Sequence, residues 1–450
     1  MVGSSPFYFL GANAYYLSFI ASYGRTAAVR ALFNHARSLG MTVLRTWAFF
    51  DSPDTTDAGV MQLRPGILNE TGLRGLDFVV AEANRSSMRL VLPLVNNWDE
   101  YGGMNQYVRW RGEAIAGDHD QFYSDPVIKG WYQSYVSKLL TRINTITGVA
   151  YMDDPAIMAW ELANEPRSSD RSGRLVYRWL DEMSRFVKSI DPNHLVGSGE
   201  EGFDVSPAGY GASGGEGAAR LFDGTSGVSF ALNSALPSLD FATIHLYPEV
   251  WSLPVNAANS WIRDHLRIAD TLGKPLLLGE FGIRNGKAQA FESWLTTALL
   301  DGVAGSLAWQ LLDGVKVDPE GFGFVCPGTD PVCVVLRDLA GKFNDKSRTG
   351  GLPLPSAARL HQNFPNPFHS HTVVTYELPF DAHVRLELFD VTGVRVLTVV
   401  DDVQRPGVRK EVIDGCALAA GAYFYRITAV EIHGGPDRGF TETRRLMVLH

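Results

Sequence analysis

The sequence has no run of eighteen apolar residues, so nothing in it is long enough to cross a bilayer as a helix. It has no basic cluster either. Its 40 Lys and Arg stand against 49 Asp and Glu, a net charge of −9, and a chain of that balance offers no surface for a nucleic-acid backbone. The histidines are scattered without ligand spacing, and no Gly-rich phosphate turn follows the first apolar run, so no metal and no cofactor are indicated. The start, Met1-Val2-Gly3-Ser4-Ser5-Pro6, lacks the basic region and cleavage site of a signal peptide. Cysteine is scarce. Cys326 and Cys333 flank Pro-Gly-Thr-Asp-Pro-Val, a turn-rich stretch able to close a small disulfide loop, with two free thiols as the other reading. Cys416 reads as a buried small hydrophobe.

Tryptophan is also missing, but only from one part. All ten lie between Trp47 and Trp309, and this shift, with the 450-residue length, predicts two domains. The Gly350-Gly351-Leu352-Pro353-Leu354-Pro355-Ser356 stretch opens a linker over 350–360, separating a first domain of 1–349 from a second of 361–450.

In the first domain, short apolar runs alternate with helical patterns. Strands are predicted at Phe7–Ala12, Val43–Trp47, Leu90–Val95, Ile157–Leu162, His194–Gly197, Phe241–Leu246, Leu276–Gly279 and Gly305–Trp309. Helices are predicted at Arg25–Ser38, Leu73–Arg85, Pro126–Thr147, Leu175–Ile190, Asn256–Leu272 and Lys287–Leu300. Eight strands in βα alternation predict a (β/α)8 TIM barrel rather than a doubly wound sheet. The Gly/Ser-rich stretch from Glu200 to Pro237 reads as a loop over the active face. After the linker, strict alternation such as Val384-Arg385-Leu386-Glu387-Leu388 predicts a small all-β, immunoglobulin-like sandwich.

A barrel presents its chemistry where strands end. Those positions hold Arg45 and Trp47, Trp98, Asn164 and Glu165, His245 and Tyr247, Glu280, and Trp309. Cleaving a glycosidic bond needs one protonated acid and one ionised carboxylate, and Glu165 and Glu280 reach across the barrel mouth from strands 4 and 7. An arginine near one lowers its pKa, while burial raises the other's, separating base from acid. Trp98 and Trp251 are either sugar-stacking platforms or loop anchors. Glu161 reads as structural.

The motifs Trp160-Glu161-Leu162-Ala163-Asn164-Glu165-Pro166, His245-Leu246-Tyr247 and Leu278-Gly279-Glu280-Phe281-Gly282 resemble glycoside hydrolase family 5. The resemblance implies a retaining hydrolase with Glu165 as acid/base and Glu280 as nucleophile. It implies that Arg45 and Tyr247 hold Glu280, that Asn164 bonds the sugar 2-hydroxyl, that His245 positions the acid/base and that Trp309 floors the −1 subsite. The stretches Leu44–Phe49, Asn96–Gly103, Asn164–Arg167 and Glu201-Gly202-Phe203 are similar to the mannanase branch, which implies β-mannan polysaccharides and manno-oligosaccharides as partners. There Arg167 maps to an aglycone subsite, and Glu201 and Trp251 to sugar-contacting positions. Other readings are a β-1,4-glucanase of the same family and a non-catalytic polysaccharide-binding surface protein. The family usually has strand-forming residues ahead of the first barrel strand, and only six residues precede Phe7 here.

In the tail, His361–Phe368, Glu387–Gly393, Ala419–Arg426 and Arg444–Leu449 resemble the C-terminal sorting domains of type IX secretion. This implies partnership with secretion machinery and a secreted or cell-surface location. A carbohydrate-binding module is the alternative, though the tail has no tryptophan. No rim residue comes from the tail, so its removal is expected to leave hydrolysis largely unchanged.

Overall fold

A computed structural model of the chain describes residues 6–112, 119–211, 216–315, 318–326, 330–349, 354–432 and 439–449. The first strands are β1 (Phe9–Asn13), β2 (Val43–Arg45), a small hairpin of β3 (Gln62–Arg64) and β4 (Ile67–Leu68), and β5 (Arg89–Pro93). Next come β6 (Ile157–Glu161), β7 (Leu195–Gly197), β8 (Ala242–Leu246), β9 (Leu276–Phe281) and β10 (Gly305–Ala308). Apart from the hairpin they form one parallel sheet, in the order β7-β6-β5-β2-β1-β10-β9-β8. Its ends meet where the Asp240 N–H donates to Val196 O at 2.8 Å and the His245 N–H to Glu201 O at 3.0 Å. The result is the eight-stranded barrel.

Each predicted helix in this domain forms, with one overrun. The helix from Pro126 ends at Leu140 rather than Thr147. Just beyond it, Asn144 Oδ1 accepts the Ile146 and Thr147 N–H groups, a local turn that competes with helical hydrogen bonds. Its start follows local chemistry as well: Asp125 accepts from the Val127 and Ile128 N–H groups, and Pro126 sits where its missing donor costs nothing. Helices Gly103–Trp110 and Pro331–Thr349 are additional.

The barrel floor is a layer of Phe9, Val43, Val91, Ala159, Phe241, Leu277 and Leu307, with Phe7 and Met158 against it. Two glycines make room for its rings. A Cβ at Gly305 would lie 2.1 Å from the Phe9 ring, and one at Gly197 2.4 Å from that of Phe241. Aromatic side chains therefore close the floor, and no strand precedes β1 among the described residues.

The tail comprises β11 (Arg359–Leu360), β12 (His371–Leu378), β13 (Ala382–Phe389), β14 (Arg395–Gln404), β15 (Gly407–Asp414), β16 (Gly421–Glu431) and β17 (Gly439–Val448). They make a three-stranded sheet, β11-β12-β15, and a four-stranded one, β14-β13-β16-β17. Alternate residues such as Val384, Leu386 and Leu388 fill a core between them. The three-stranded sheet is covered on both faces. Val374 and Ile413 belong to the sandwich core, while their neighbours Val373 and Val412 join the barrel's.

The sandwich thus docks, chiefly on helices Ala257–Thr271 and Lys287–Asp301, through buried charges. Arg409 donates to both oxygens of Asp301, at 2.8 and 2.7 Å, and Arg263 to Glu411 at 2.7 Å. Tyr376, Gln404 and Asn259 also donate to Glu411. Cys326 and Cys333 form a disulfide, with Cα atoms 6.1 Å apart. Cys416 is exposed rather than buried, because it falls in the turn after β15, outside either core.

Candidate active site

The C-terminal ends of the barrel strands open into a cleft of about 920 Å³, walled by Trp98, Glu165, Tyr247, Glu280 and Trp309 among others. The stretch after Glu200 forms part of this wall, through Glu201, Phe203, Arg220, Thr225 and Ser226.

Glu280 lies one residue before the end of β9. Its Oε1 accepts from Arg45 Nη1 at 2.6 Å and its Oε2 from the Tyr247 hydroxyl at 2.6 Å. Arg45 ends β2 and is wholly buried. Its Nε donates to Glu161 Oε2 at 2.7 Å, Nη2 to Asn164 Oδ1 at 2.7 Å, and Nη1 also to Asn13 Oδ1 at 3.1 Å. One guanidinium therefore ties together the ends of four strands.

Glu165 follows β6 by four residues, with a left-handed backbone at φ +52°. Such a conformation is strained for a side-chain-bearing residue and persists only where surroundings impose it. Here the Glu165 N–H is drawn to Gly199 O at 2.8 Å. Its Oε1 shares a hydrogen bond with His245 Nδ1 at 2.6 Å, and its Oε2 accepts from Trp98 Nε1 at 2.6 Å. The same His245 nitrogen is 3.6 Å from Glu280 Oε2. One oxygen of each glutamate and a ring nitrogen of His245 lie within 4.8 Å of one another.

The sequence made Glu280 the low-pKa carboxyl and Glu165 the high one. In the structure this order is reversed. Burial pushes Glu280 above the usual glutamate value, and His245 and Arg45 offset that only in part. Burial acts on Glu165 as well, but His245, Arg167 and the Trp98 N–H outweigh it and hold the carboxyl at about 2. His245 is itself raised, because the two glutamates overcome the burial that opposes its charge. The physical reason is that His245 bonds Glu165 directly and only faces Glu280 at 3.6 Å, where burial prevails. His245 and Glu165 thus share one short hydrogen bond, with charge favoured on both.

Arg167 grips Glu201 with two bonds of 2.7 Å and lies between the rings of Trp98 and Phe203, at 5.0 and 4.9 Å. Burial, with the charge of Glu165, pushes Glu201 up to about 7 against the pull of Arg167. Trp98 is 40% exposed, so a ring edge and face stay available to a sugar. Trp309 stacks on Tyr15 with centroids 5.4 Å apart and planes 5° from parallel, leaving one face to the cleft. Trp47 packs on Tyr15 and Phe49 and reaches the cleft wall. Trp251 lines the wall too, but it is 5% exposed and held by Phe203 and Trp261, so it is chiefly a loop anchor.

Two contributors were missed by the sequence reading, Asn13 and Tyr15, while Glu161, read there as structural, is the buried partner of Arg45 Nε. Strand parity accords with that reading, since Glu161 shares the inward face of β6 with Ala159, where a buried carboxylate needs a cation. Among the described residues, Glu165, His245 and Glu280 are the one set spaced to ligate a metal ion. Their atoms are already engaged by Trp98, Tyr247, Arg45 and one another, and Arg45 would repel a cation.

A family model described as GH family 5 beta-mannosidase-like matches residues 1–307. The chain is 40% identical over 348 residues to mannan endo-1,4-beta-mannosidase 1 of Oryza sativa subsp. japonica, covering 69% of this chain and 76% of that one. It is 37% identical over 364 residues to mannan endo-1,4-beta-mannosidase 7 of Arabidopsis thaliana, covering 75% and 82%. Among solved structures, the endo-beta-1,4-mannanase from Thermotoga petrophila superposes with a TM-score of 0.73 at 29% identity, over 100% of this chain and 99% of that one. The endo-1,4-beta-mannanase from Rhizomucor miehei gives a TM-score of 0.68 at 32% identity, over 77% and 97%.

Proposed function

The chain belongs to glycoside hydrolase family 5, and from that membership we propose that it hydrolyses internal β-1,4-mannosidic bonds of mannan, glucomannan and galactomannan with retention. Glu280 attacks the anomeric carbon while the glycosidic bond breaks, and the proton of the Glu165–His245 pair goes to the leaving oxygen. Water then displaces the glycosyl ester from Glu280, giving a proton to Glu165. The observation that carries this reading is the separation of the two carboxylates, with an oxygen of each within 4.8 Å. Retaining pairs stand roughly 5–5.5 Å apart, whereas inverting pairs need about 6.5–9.5 Å to admit a water. The names of the rice, Arabidopsis, Thermotoga and Rhizomucor relatives support mannan as the polymer. The test is digestion of mannohexaose and carboxymethyl-cellulose, with the first product followed by proton NMR. Internal cleavage of the mannan oligomer to a β-anomer is expected; cleavage of the cellulose alone, or an α-anomer first, overturns the reading.

We further infer that residues 361–450 direct export to the cell surface or medium through secretion machinery. The Cys326–Cys333 disulfide fits an oxidising compartment, and Phe364 stands 80% exposed in the Asn363–Phe368 turn, open to a receptor. Fractionation of the producing cells tests this; enzyme confined to the cytoplasm refutes it.

A further inference from the structure

Glu161 lies one layer below the rim, and the hydrolytic reading gives it nothing to do. It is the last residue of β6, wholly buried, and its Oε2 is 2.7 Å from Arg45 Nε. Its Oε1 has no hydrogen-bond partner among the described residues. A buried carboxylate held by a single cation is weak support for a fold, since an apolar side chain of similar volume often serves as well. What an apolar side chain could not do is accept from Arg45 Nε and fix the guanidinium next to its stem.

We propose that Glu161 is a positioning residue that fixes the plane of Arg45 and, through it, aims the Glu280 carboxylate and the Asn164 amide. The proposal rests on the hydrolase reading above. Arg45 sends Nη1 to Glu280 and Asn13 and Nη2 to Asn164, of which Glu280 and Asn164 line the cleft. The one remaining donor nitrogen, the Nε nearest the aliphatic stem, donates to Glu161. Remove that anchor and the guanidinium rotates about its stem, carrying both groups off line. A misplacement of about 1 Å at a reacting group costs on the order of 100-fold in rate. Glu161 also shares the positive charge of Arg45. The charged and titratable groups facing Glu280 are Arg45 from β2, His245 from β8, Tyr247 just after it, and Glu165 after β6. With Glu161 neutral, Arg45 acts on Glu280 undivided, and Glu280 ionises at lower pH.

The experiment compares E161A and E161Q with the wild type on mannohexaose, with melting temperature and circular dichroism recorded for each. Glutamine keeps an acceptor for Nε without the charge. E161A is expected to lose about 100-fold in kcat with KM within about threefold. E161Q should recover at least about tenfold over E161A, with the acidic limb of kcat/KM lowered by about one pH unit. Should E161A fail to fold, E161Q decides through that limb alone. A folded E161A within threefold of wild-type kcat overturns the proposal, and so does an unmoved acidic limb in E161Q. If the wild type cleaves another β-glycan instead of mannan, the same ratios are read on that polymer, so the two readings fail separately.

Discussion

Arg409→Ala is the sharpest probe of the join between the two domains. The arginine is wholly buried, makes two bonds to Asp301, and has its partner's side chain 7% exposed. Among the described residues, its loss leaves the Asp301 carboxylate the 3.4 Å contact to Arg263, which already serves Glu411, with the charge of Arg405 nearby. Breaking a buried pair from one side costs about 3–5 kcal/mol. The effect on melting depends on what unfolds with it. At about 2.1 cal/mol/K per residue, the 450 residues unfolding together carry about 0.9 kcal/mol/K, and the shift is about 3–5 °C. A sandwich melting alone, with roughly a fifth of that entropy, would shift by about 15–25 °C. Because the three-stranded sheet is shared between two cores, the small shift of a single transition is expected in scanning calorimetry, with turnover at 25 °C unchanged. Two resolved transitions, the later one untouched by the substitution, would refute the reasoning. The same coupling revises the expectation for the tail: deleting it removes no rim residue but uncovers the place of Val373 and Val412 on the barrel and leaves Arg263 and Asp301 with only each other, so it should lower stability well before it lowers intrinsic activity.

Four further outcomes follow from the site. Glu280→Ala should abolish turnover while leaving the melting temperature close to wild type; activity within tenfold of wild type removes its role as nucleophile. The pH profile of kcat/KM should be displaced upward on both sides: Glu280, raised by burial, must lose its proton, and His245, raised by the two glutamates, must keep its own. An acidic limb below the ordinary glutamate value contradicts this. Arg167→Lys loses the paired bonds to Glu201 and the stacking between Trp98 and Phe203, so KM for mannohexaose should rise by about tenfold with kcat little changed. Cys333→Ser should cost about 2 kcal/mol of stability by releasing a short loop, read as a lower denaturant midpoint.

Much of the barrel was legible because each strand is a short apolar run that stops at a polar residue with no reason to be there except the cleft. The predicted run Leu276–Gly279 reads this way, and Glu280 is the polar residue at its end. What stayed hidden depends on partners from distant strands. The pKa order of Glu165 and Glu280 turned on burial at Glu280 and on His245 bonding Glu165, a contact across 80 residues of sequence. Trp251 stayed open between two readings because sequence does not reveal whether a loop tryptophan turns its face to water or to Phe203. The docking face was the least legible. Arg409 and Glu411 alternate with Val408 and Lys410 in β15, which reads as a polar outer face, yet the charges are buried and Val408 is 43% exposed.

The two-faced sheet also bears on the order of events during synthesis. The barrel leaves the ribosome first, with the ground on which β12 and β15 will settle still bare. On that ground stand Arg263 and Asp301, already 3.4 Å apart and able to neutralise each other in water. A purely apolar landing site would be a sticky surface on the nascent enzyme. The charged one keeps the waiting barrel wet, and becomes dry only when Arg409 and Glu411, among the later residues to emerge, arrive to complete it.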